Sequence, residues 1–253
     1  MTKAATALTI FNDSLDDALD LIHVASPSQL RLAKLKRDAA SLAKANHCES
    51  LELRAHIALV EGNLEEADRL YSLALASTDD LTGTIVRYAM TLVVGGHCYR
   101  AKEILDAHPQ FYRGQPAAVH VIQQLLTCGG WFSSAADLDV ELLRMRQETL
   151  DCPGFNEIPD GIQPTDFVDA VQFARRELKQ ICDLARAFRV TGVDVEKDQP
   201  TILYEMAVSG DYDEIAAIEW ELLTKINEQS FEVVQRGLLS FALMHTDAIK
   251  DAD

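Results

Sequence analysis

Apolar residues recur at helical spacing along most of this chain. They fall at i, i+3, i+4 and i+7 in LELRAHIALV (51–60), TIVRYAMTLVV (84–94) and AVHVIQQLLTC (118–128), and a glycine turn and a second amphipathic stretch follow each segment. This pattern predicts pairs of amphipathic helices joined by tight turns. No stretch alternates apolar and polar residues for long enough to predict a strand. Further helices are predicted at 13–24, 26–45, 166–190 and 230–249.

The helix pairs repeat with a period of 34 residues. The turn glycines that follow this step are Gly62, Gly96 and Gly130. Small residues five positions later keep the same step: Ala67, Ala101 and Ala135. Glycine ends a helix at least cost in the left-handed conformation, and alanine lets the paired helices approach closely. Recurrence at a fixed period is typical of stacked-repeat proteins, in which each unit buries its apolar stripe against its neighbour.

The first unit resembles the tetratricopeptide repeat family. Gly62, Ala67, Tyr71 and Ala74 match its pattern of glycine, alanine, aromatic residue and alanine. The second and third units keep the glycine and the first alanine, but Leu105 replaces the aromatic residue of the second. The resemblance implies an all-α fold, a right-handed α-solenoid of helix-turn-helix repeats near 48–81, 82–115 and 116–149.

Three regions are expected from these patterns. Residues 1–150 form a repeat domain whose three units are preceded by a helical pair. Residues 151–165, DCPGFNEIPDGIQPT, are rich in Pro and Gly and form a connection. Residues 166–253 form a further C-terminal helical region, which contains one degenerate repeat copy in EMAVSGDYDEIAAIEWELL (205–223). In that copy Trp220 is expected to pack between helices.

The chain is acidic, with a net charge of −17 over 253 residues. Residues 151–253 carry twenty-one acidic and nine basic side chains, a net charge of −12. A field of this sign repels nucleic-acid phosphate and attracts basic groups, so we expect no direct nucleic-acid binding and a protein partner with a basic surface. The alternative is a solvated surface with carboxylates that cap a helix. The candidate acidic surface comprises Glu205, Asp211, Asp213, Glu214, Glu219 and Glu221.

Cysteine usage and hydropathy indicate the compartment. The five cysteines are odd in number and include no CxxC pair, which is typical of a reducing environment. No apolar run approaches the roughly 18 residues that cross a bilayer. The start of the chain, MTKAATALTIFNDSLDD, lacks the apolar core and cleavage site of a signal peptide. We therefore expect a cytoplasmic protein that does not bind membranes.

Motifs of known catalytic chemistry do not occur in the sequence. The GG pairs at 95–96 and 129–130 lack the lysine or third glycine of a phosphate-binding loop, and HExxH and GxSxG do not occur. The dipeptides His47-Cys48 and His97-Cys98 have no second pair at ligand spacing. We therefore expect no catalytic residue, no metal, no cofactor and no enzymatic activity. An enzyme is kept as the third hypothesis.

The leading hypothesis is a non-enzymatic protein that binds a partner protein through a helical-repeat groove. The resemblance implies that the groove is lined by Glu52, His56, Val86, Met90, His120 and Gln124. For the histidines, packing in a partly buried position is the alternative. The apolar stripe of Val86, Met90 and Val93 requires a cover, either a partner or the C-terminal region.

The second hypothesis is an acidic inhibitor or decoy that engages a nucleic-acid-binding protein complex. Such proteins are carried by phages or plasmids against host defences, as anti-CRISPR proteins are. The net charge of residues 151–253 motivates this hypothesis, because carboxylates spaced along helices present charge to a phosphate-binding groove.

Overall fold

The computed structural model describes residues 3–24, 26–145, 159–182, 184–195 and 199–247. The protein is mostly helical, as the sequence predicts, and it also contains a small three-stranded sheet. The chain divides into two compact units, residues 1–111 (unit 1) and 112–253 (unit 2). The third predicted helix pair therefore belongs to unit 2. Most of the predicted connection at 151–165 lies outside the described residues.

Unit 1 is helical. Its elements are α1 (Lys3–Ile22), α2 (Gln29–Leu42), α3 (His47–Val60), α4 (Leu64–Leu75), α5 (Leu81–Val94) and α6 (Cys98–Ala107), followed by a 3-10 turn at Pro109–Phe111. Helix α1 packs against α2, α3 and α5. Its buried residues Phe11, Ala18 and Leu21 share one core with Leu35 of α2 and Leu53 of α3. Helix α1 is thus part of the core of unit 1.

Unit 2 begins with the third helix pair and ends with a sheet. Its elements are α7 (Pro116–Cys128), α8 (Phe132–Arg144), α9 (Pro164–Ile181), β1 (Leu184–Val195), β2 (Gln199–Val208), α10 (Tyr212–Gln229), α11 (Glu232–Gln235) and β3 (Leu239–His245). Strand β2 is central, antiparallel to β1 and parallel to β3. A parallel neighbour requires a crossover, which α10 and α11 supply. Helix α10 packs against α9 and β3.

The predicted turns of the three helix pairs α3–α4, α5–α6 and α7–α8 are confirmed. In the first turn the Gly62 amide donates to the Leu59 carbonyl at 3.0 Å, and the Asn63 amide donates to the Ala58 carbonyl at 2.8 Å. This is the Schellman geometry that ends a helix with a left-handed residue. The same two bonds recur 34 and 68 residues later in the chain, at Gly96 and Gly130. The φ angles of the three glycines are +76°, +81° and +83°.

The strands correct the helical prediction for the C-terminal region. The helix predicted at 166–190 ends at Ile181, and residues 184–195 form β1. The helix predicted at 230–249 is replaced by α11 and β3. The first helix of the predicted fourth repeat is instead the end of β2, so residues 205–223 are not a helix pair. Strand β2 contains Leu203, Met206 and Ala207, which favour helices, and its pairing with β1 and β3 overrides that preference.

The core of unit 2 lies where α9 and α10 meet the sheet and the turn between α7 and α8. Phe132, Phe167 and Tyr204 are buried in one cluster with residues from each of these elements. The Tyr204 hydroxyl donates to the carbonyl of Cys128, the last residue of α7, at 2.7 Å. Beside this carbonyl, Gly130 approaches the start of α9 so closely that an added Cβ would lie 3.0 Å from the Val168 Cα. The third turn is thus tightly packed against α9.

Candidate functional site

The predicted groove residues differ widely in exposure. Within unit 1, Glu52 and His56 are 1% and 0% exposed, whereas Val86 and Met90 are half-buried. Within unit 2, His120 is half-buried and Gln124 is exposed. The prediction that Glu52 and His56 line an open groove is therefore wrong. They lie on the inner side of α3, where α1 and α5 pack.

Glu52 is one half of an ion pair between α3 and α5. Arg87 donates to its carboxylate from Nε at 2.6 Å and from Nη2 at 3.1 Å, and the Thr84 hydroxyl donates at 3.4 Å. His56 Nε2 lies 3.7 Å from the same carboxylate. Burial is the largest influence and raises the pKa of Glu52, but His56 and Arg87 together outweigh it and hold this pKa below its ordinary value. The ion pair joins the helix pairs α3–α4 and α5–α6 in the interior of unit 1.

Helix α1 covers this ion pair. The Arg87 guanidinium lies 5.5 Å from the centre of the Phe11 ring, and α1 packs against both α3 and α5. Val93, the third residue of the predicted apolar stripe, is buried. The sequence predicts a partner or the C-terminal region as the cover, but in unit 1 the protein's own α1 lies over the Glu52 side of this surface. The sequence feature that could have indicated this cover is Phe11, an aromatic residue in a stretch whose apolar residues have helical spacing.

A second polar group joins α4, α5 and α6. The rings of Tyr71 and Tyr88 stack with their centroids 4.1 Å apart, and the Tyr88 hydroxyl donates to Asp68 at 2.9 Å. Arg100 pairs with the same carboxylate at 3.0 Å. Burial raises the pKa of Tyr88, and the nearby Asp68 adds to this effect. Tyr88 therefore stays protonated and serves as a hydrogen-bond donor within the scaffold.

A cleft of about 400 Å³ lies between α2, α3 and α4. Its floor is apolar and includes Ala39, Ile57 and Leu70. Its rim carries two basic and two acidic residues, Lys36, Arg54, Glu61 and Glu66. Lys36 donates to Glu61 at 2.6 Å, and Glu66 pairs with an arginine of its own helix. The cleft thus offers an apolar surface with a charge-balanced rim.

The predicted acidic residues separate into two groups. Glu205 is only 9% exposed and receives two hydrogen bonds from Arg189 across β1 and β2, at 2.6 and 2.9 Å, so its assignment to an acidic surface is wrong. Glu219 is half-buried and accepts the Leu243 amide of β3 at 2.8 Å. The alternation of β2 points Glu205 to the face opposite the buried Tyr204 and Met206, where Arg189 of β1 pairs with it, which the helical prediction did not foresee. The exposed members are Asp211, Asp213, Glu214 and Glu221.

Three of these carboxylates, those of Asp211, Asp213 and Glu214, lie at the start of α10. Asp211 caps the helix by accepting the amides of Asp213 and Glu214 at 3.0 and 2.9 Å, and the Glu214 side chain accepts the Asp211 amide at 3.1 Å. This reciprocal capping box fixes the first turn. The alternative expected from the sequence, that carboxylates here cap a helix, is thus confirmed for Asp211 and Glu214. The Asp213 carboxylate takes no part in the capping box.

The exposed side of α10 presents two large aromatic residues. Trp220 is 75% exposed and Tyr212 is 82% exposed, whereas the opposite side of the helix buries Ile215, Leu222 and Ile226. The prediction that Trp220 packs between helices is wrong, because the helix packs through the side that carries its isoleucines. We define the α10 face as the exposed residues Tyr212, Asp213, Ala216, Ala217, Trp220, Glu221, Thr224 and Glu228.

The described residues contain no group of three or more His, Cys, Asp and Glu side chains arranged to hold a metal ion. Among the same residues, every helix is too short or too polar to cross a bilayer.

The chain was compared with protein-family models, with curated proteins and with solved structures. No family model matches it. No curated protein and no solved structure matches it either. The tetratricopeptide assignment therefore stays a prediction, which rests on the repeated residues and on the turns of the three helix pairs.

Proposed function

We propose that this is a non-enzymatic protein that binds a partner protein, and that the partner contacts the α10 face. The observation that carries the proposal is the 75% exposure of Trp220 on a helix whose other side is firmly packed. A solvated indole leaves a large apolar area in water, and tryptophan is enriched among the residues that dominate binding energy in protein interfaces. A partner that covers Trp220 recovers this free energy.

The surroundings of Trp220 support the same conclusion. The small residues Ala216, Ala217 and Thr224 lie one helical turn before or after Trp220. Their short side chains leave the indole accessible to a partner side chain. Carboxylates surround these residues and form a polar rim, as in known interfaces. Helix α10 is held by its capping box and by its buried isoleucines. The surface is thus preorganised, which lowers the entropic cost of binding.

The repeats are proposed to supply the scaffold. Three helix pairs with the same turns and the same small residues support tetratricopeptide-like repeats stacked as a right-handed solenoid. Because Glu52 and His56 are buried under α1, a groove that includes them is not the partner site in this arrangement. The half-buried Val86 and Met90 and the exposed Gln124 are accessible in part, and they are secondary to the α10 face.

A second candidate function is an acidic inhibitor or decoy that engages a nucleic-acid-binding protein complex. It is favoured by the sequence of α10, which contains five carboxylates and one lysine. Ionic strength separates the two functions. Binding by a charge decoy weakens steeply between low and physiological salt, because exposed charges are screened, whereas binding anchored by Trp220 weakens much less.

Site-specific photo-crosslinking in the cells that naturally produce the protein tests the proposal. A benzophenone amino acid at Ala217, next to Trp220, is expected to give a crosslink to one discrete protein, and Trp220→Glu is expected to abolish this crosslink. The matched control is the same amino acid at Leu30, which is 78% exposed on α2. A crosslink at position 217 that persists in Trp220→Glu, or crosslinks of equal yield at both positions, would refute the proposal.

A further inference from the structure

The charges of α10 constrain the chemistry of whatever covers Trp220. Three of its five carboxylates lie on the α10 face, those of Asp213, Glu221 and Glu228. The single lysine of the helix, Lys225, is already paired with Glu177 at 3.5 Å and Glu221 at 3.2 Å. A face of this composition repels acidic peptides, nucleic acids and anionic membranes. It attracts a basic segment, and burial of its carboxylates against an uncharged partner would leave them unpaired at high cost. Charge complementarity therefore favours a basic partner.

Two carboxylates are available to such a partner. Within the described part of the chain, neither Asp213 nor Glu228 makes an ion pair, and both are exposed. Asp213 precedes Trp220 by seven residues and Glu228 follows it by eight. At a rise of 1.5 Å per residue, the carboxylates therefore begin about 10 Å and about 12 Å from the tryptophan along the helix axis. A central aromatic surface thus lies between two free negative charges.

We propose that the partner segment bears arginine, and that a guanidinium stacks on Trp220 while basic neighbours pair with Asp213 and Glu228; this inference rests on the proposed function. Tryptophan gives the strongest cation–π interaction of the aromatic side chains. The guanidinium is planar and weakly hydrated, so it stacks on an indole and still donates to a carboxylate, whereas the ammonium of lysine is a strongly hydrated point charge. Ala216 and Ala217 leave room for the arginine stem beside the indole.

A peptide titration tests this inference without knowledge of the partner. The probe is a short fluorescein-labelled peptide of alternating arginine and alanine, with lysine and glutamate counterparts, and fluorescence anisotropy reports its binding to the full chain. The arginine peptide is expected to bind about tenfold more tightly than the lysine peptide, and the glutamate peptide is expected not to bind. Trp220→Ala is expected to weaken arginine-peptide binding about tenfold, whereas Leu30→Ala should leave it unchanged.

A second measurement uses tryptophan fluorescence. The chain has two tryptophans, so Trp131→Phe leaves Trp220 as the only one, and the arginine peptide should then change its emission. Equal binding of the arginine and lysine peptides, or binding unaffected by Trp220→Ala, overturns the inference. Absence of peptide binding, with the crosslink at position 217 still present, overturns the inference alone and leaves the proposed function standing. A dimer in sedimentation that Trp220→Ala dissociates overturns it in favour of self-association.

Discussion

Replacement of the three turn glycines by alanine, one at a time, separates two contributions to the loss of stability: the strain of a left-handed backbone and the steric clash of an added Cβ. Gly62, Gly96 and Gly130 have nearly the same positive φ, so alanine pays the same backbone penalty at each position, about 1–2 kcal/mol for the left-handed conformation. At Gly62 and Gly96 an added Cβ meets no atom within 4 Å. These two substitutions should therefore lower the free energy of unfolding by the backbone penalty alone.

Gly130 carries an additional steric cost. Its added Cβ would lie 3.0 Å from the Val168 Cα, 3.1 Å from the Phe167 carbonyl oxygen and 3.2 Å from the Phe167 carbonyl carbon. These are backbone atoms at the start of α9, so relief of the clash requires the helix to move. Overpacking of this kind costs about 1–3 kcal/mol. We expect Gly130→Ala to destabilise the protein by about 2–5 kcal/mol in total, roughly twice the effect at the other two glycines.

Urea unfolding measures the difference, because stability follows from the midpoint and the slope of the transition. Both tryptophans, Trp131 and Trp220, belong to unit 2, so their fluorescence follows the unit that contains Gly130. Far-UV circular dichroism follows both units. Equal losses for Gly130→Ala and Gly96→Ala would refute the close approach of the third turn to α9, and unchanged stability in all three variants would refute the left-handed turns.

Two further predictions concern unit 1. Ala67→Leu and Ala101→Leu should each lower the free energy of unfolding by about 1–3 kcal/mol, because both alanines are fully buried between paired helices. Urea midpoints equal to that of the parent protein would contradict this close packing. Glu52→Gln should lower the free energy of unfolding by about 3 kcal/mol at neutral pH. This value is at the low end of the range for removal of one partner from a buried ion pair, because Arg87 keeps partial access to water. Since the folded-state pKa of Glu52 is lowered, its carboxylate stabilises the fold above about pH 4.3, and this contribution is lost as the pH falls through the folded-state pKa. The urea midpoints of the parent and Glu52→Gln, followed by circular dichroism, should therefore converge in acid, and a constant difference from pH 7 to pH 3 would contradict the assignment.

The helix pairs could be predicted because their signals are local. A glycine that ends one helix and a small residue five positions later determine the local structure of one helix–turn–helix unit. These residues recur every 34 positions. The sheet could not be predicted in the same way. Strand β2 pairs with β3 from Ile202 opposite Leu239 onwards, and its ILYEMAV sequence contains several good helix formers. Its pairing with β1, which precedes it, and with β3, which lies beyond α10 and α11, decides that it is a strand.

The candidate site was predicted in part. The acidic character of α10 and the capping role of Asp211 are evident from the sequence. Trp220 was misplaced because the fourth-repeat interpretation placed it against the first helix of that repeat, and the residues predicted for that helix form the end of β2 instead. Glu52 was misplaced because a charged residue on an apolar face predicts either a binding residue or a buried ion pair. The choice depends on Arg87 of the next helix pair, which the packing of α5 against α3 brings to Glu52.

The parallel pairing of β2 with β3 has a consequence for synthesis of the protein on the ribosome. Every element of unit 1 precedes residue 112, whereas the central strand of unit 2 acquires its second neighbour only after residues 239–245 have been translated. Until then one edge of β2 lacks hydrogen-bond partners, and Ile202, Tyr204 and Met206 lack part of their cover. Exposed edges and apolar side chains of nascent chains are what chaperones bind. The interval before residues 239–245 are translated is therefore the one in which unit 2 depends most on chaperones.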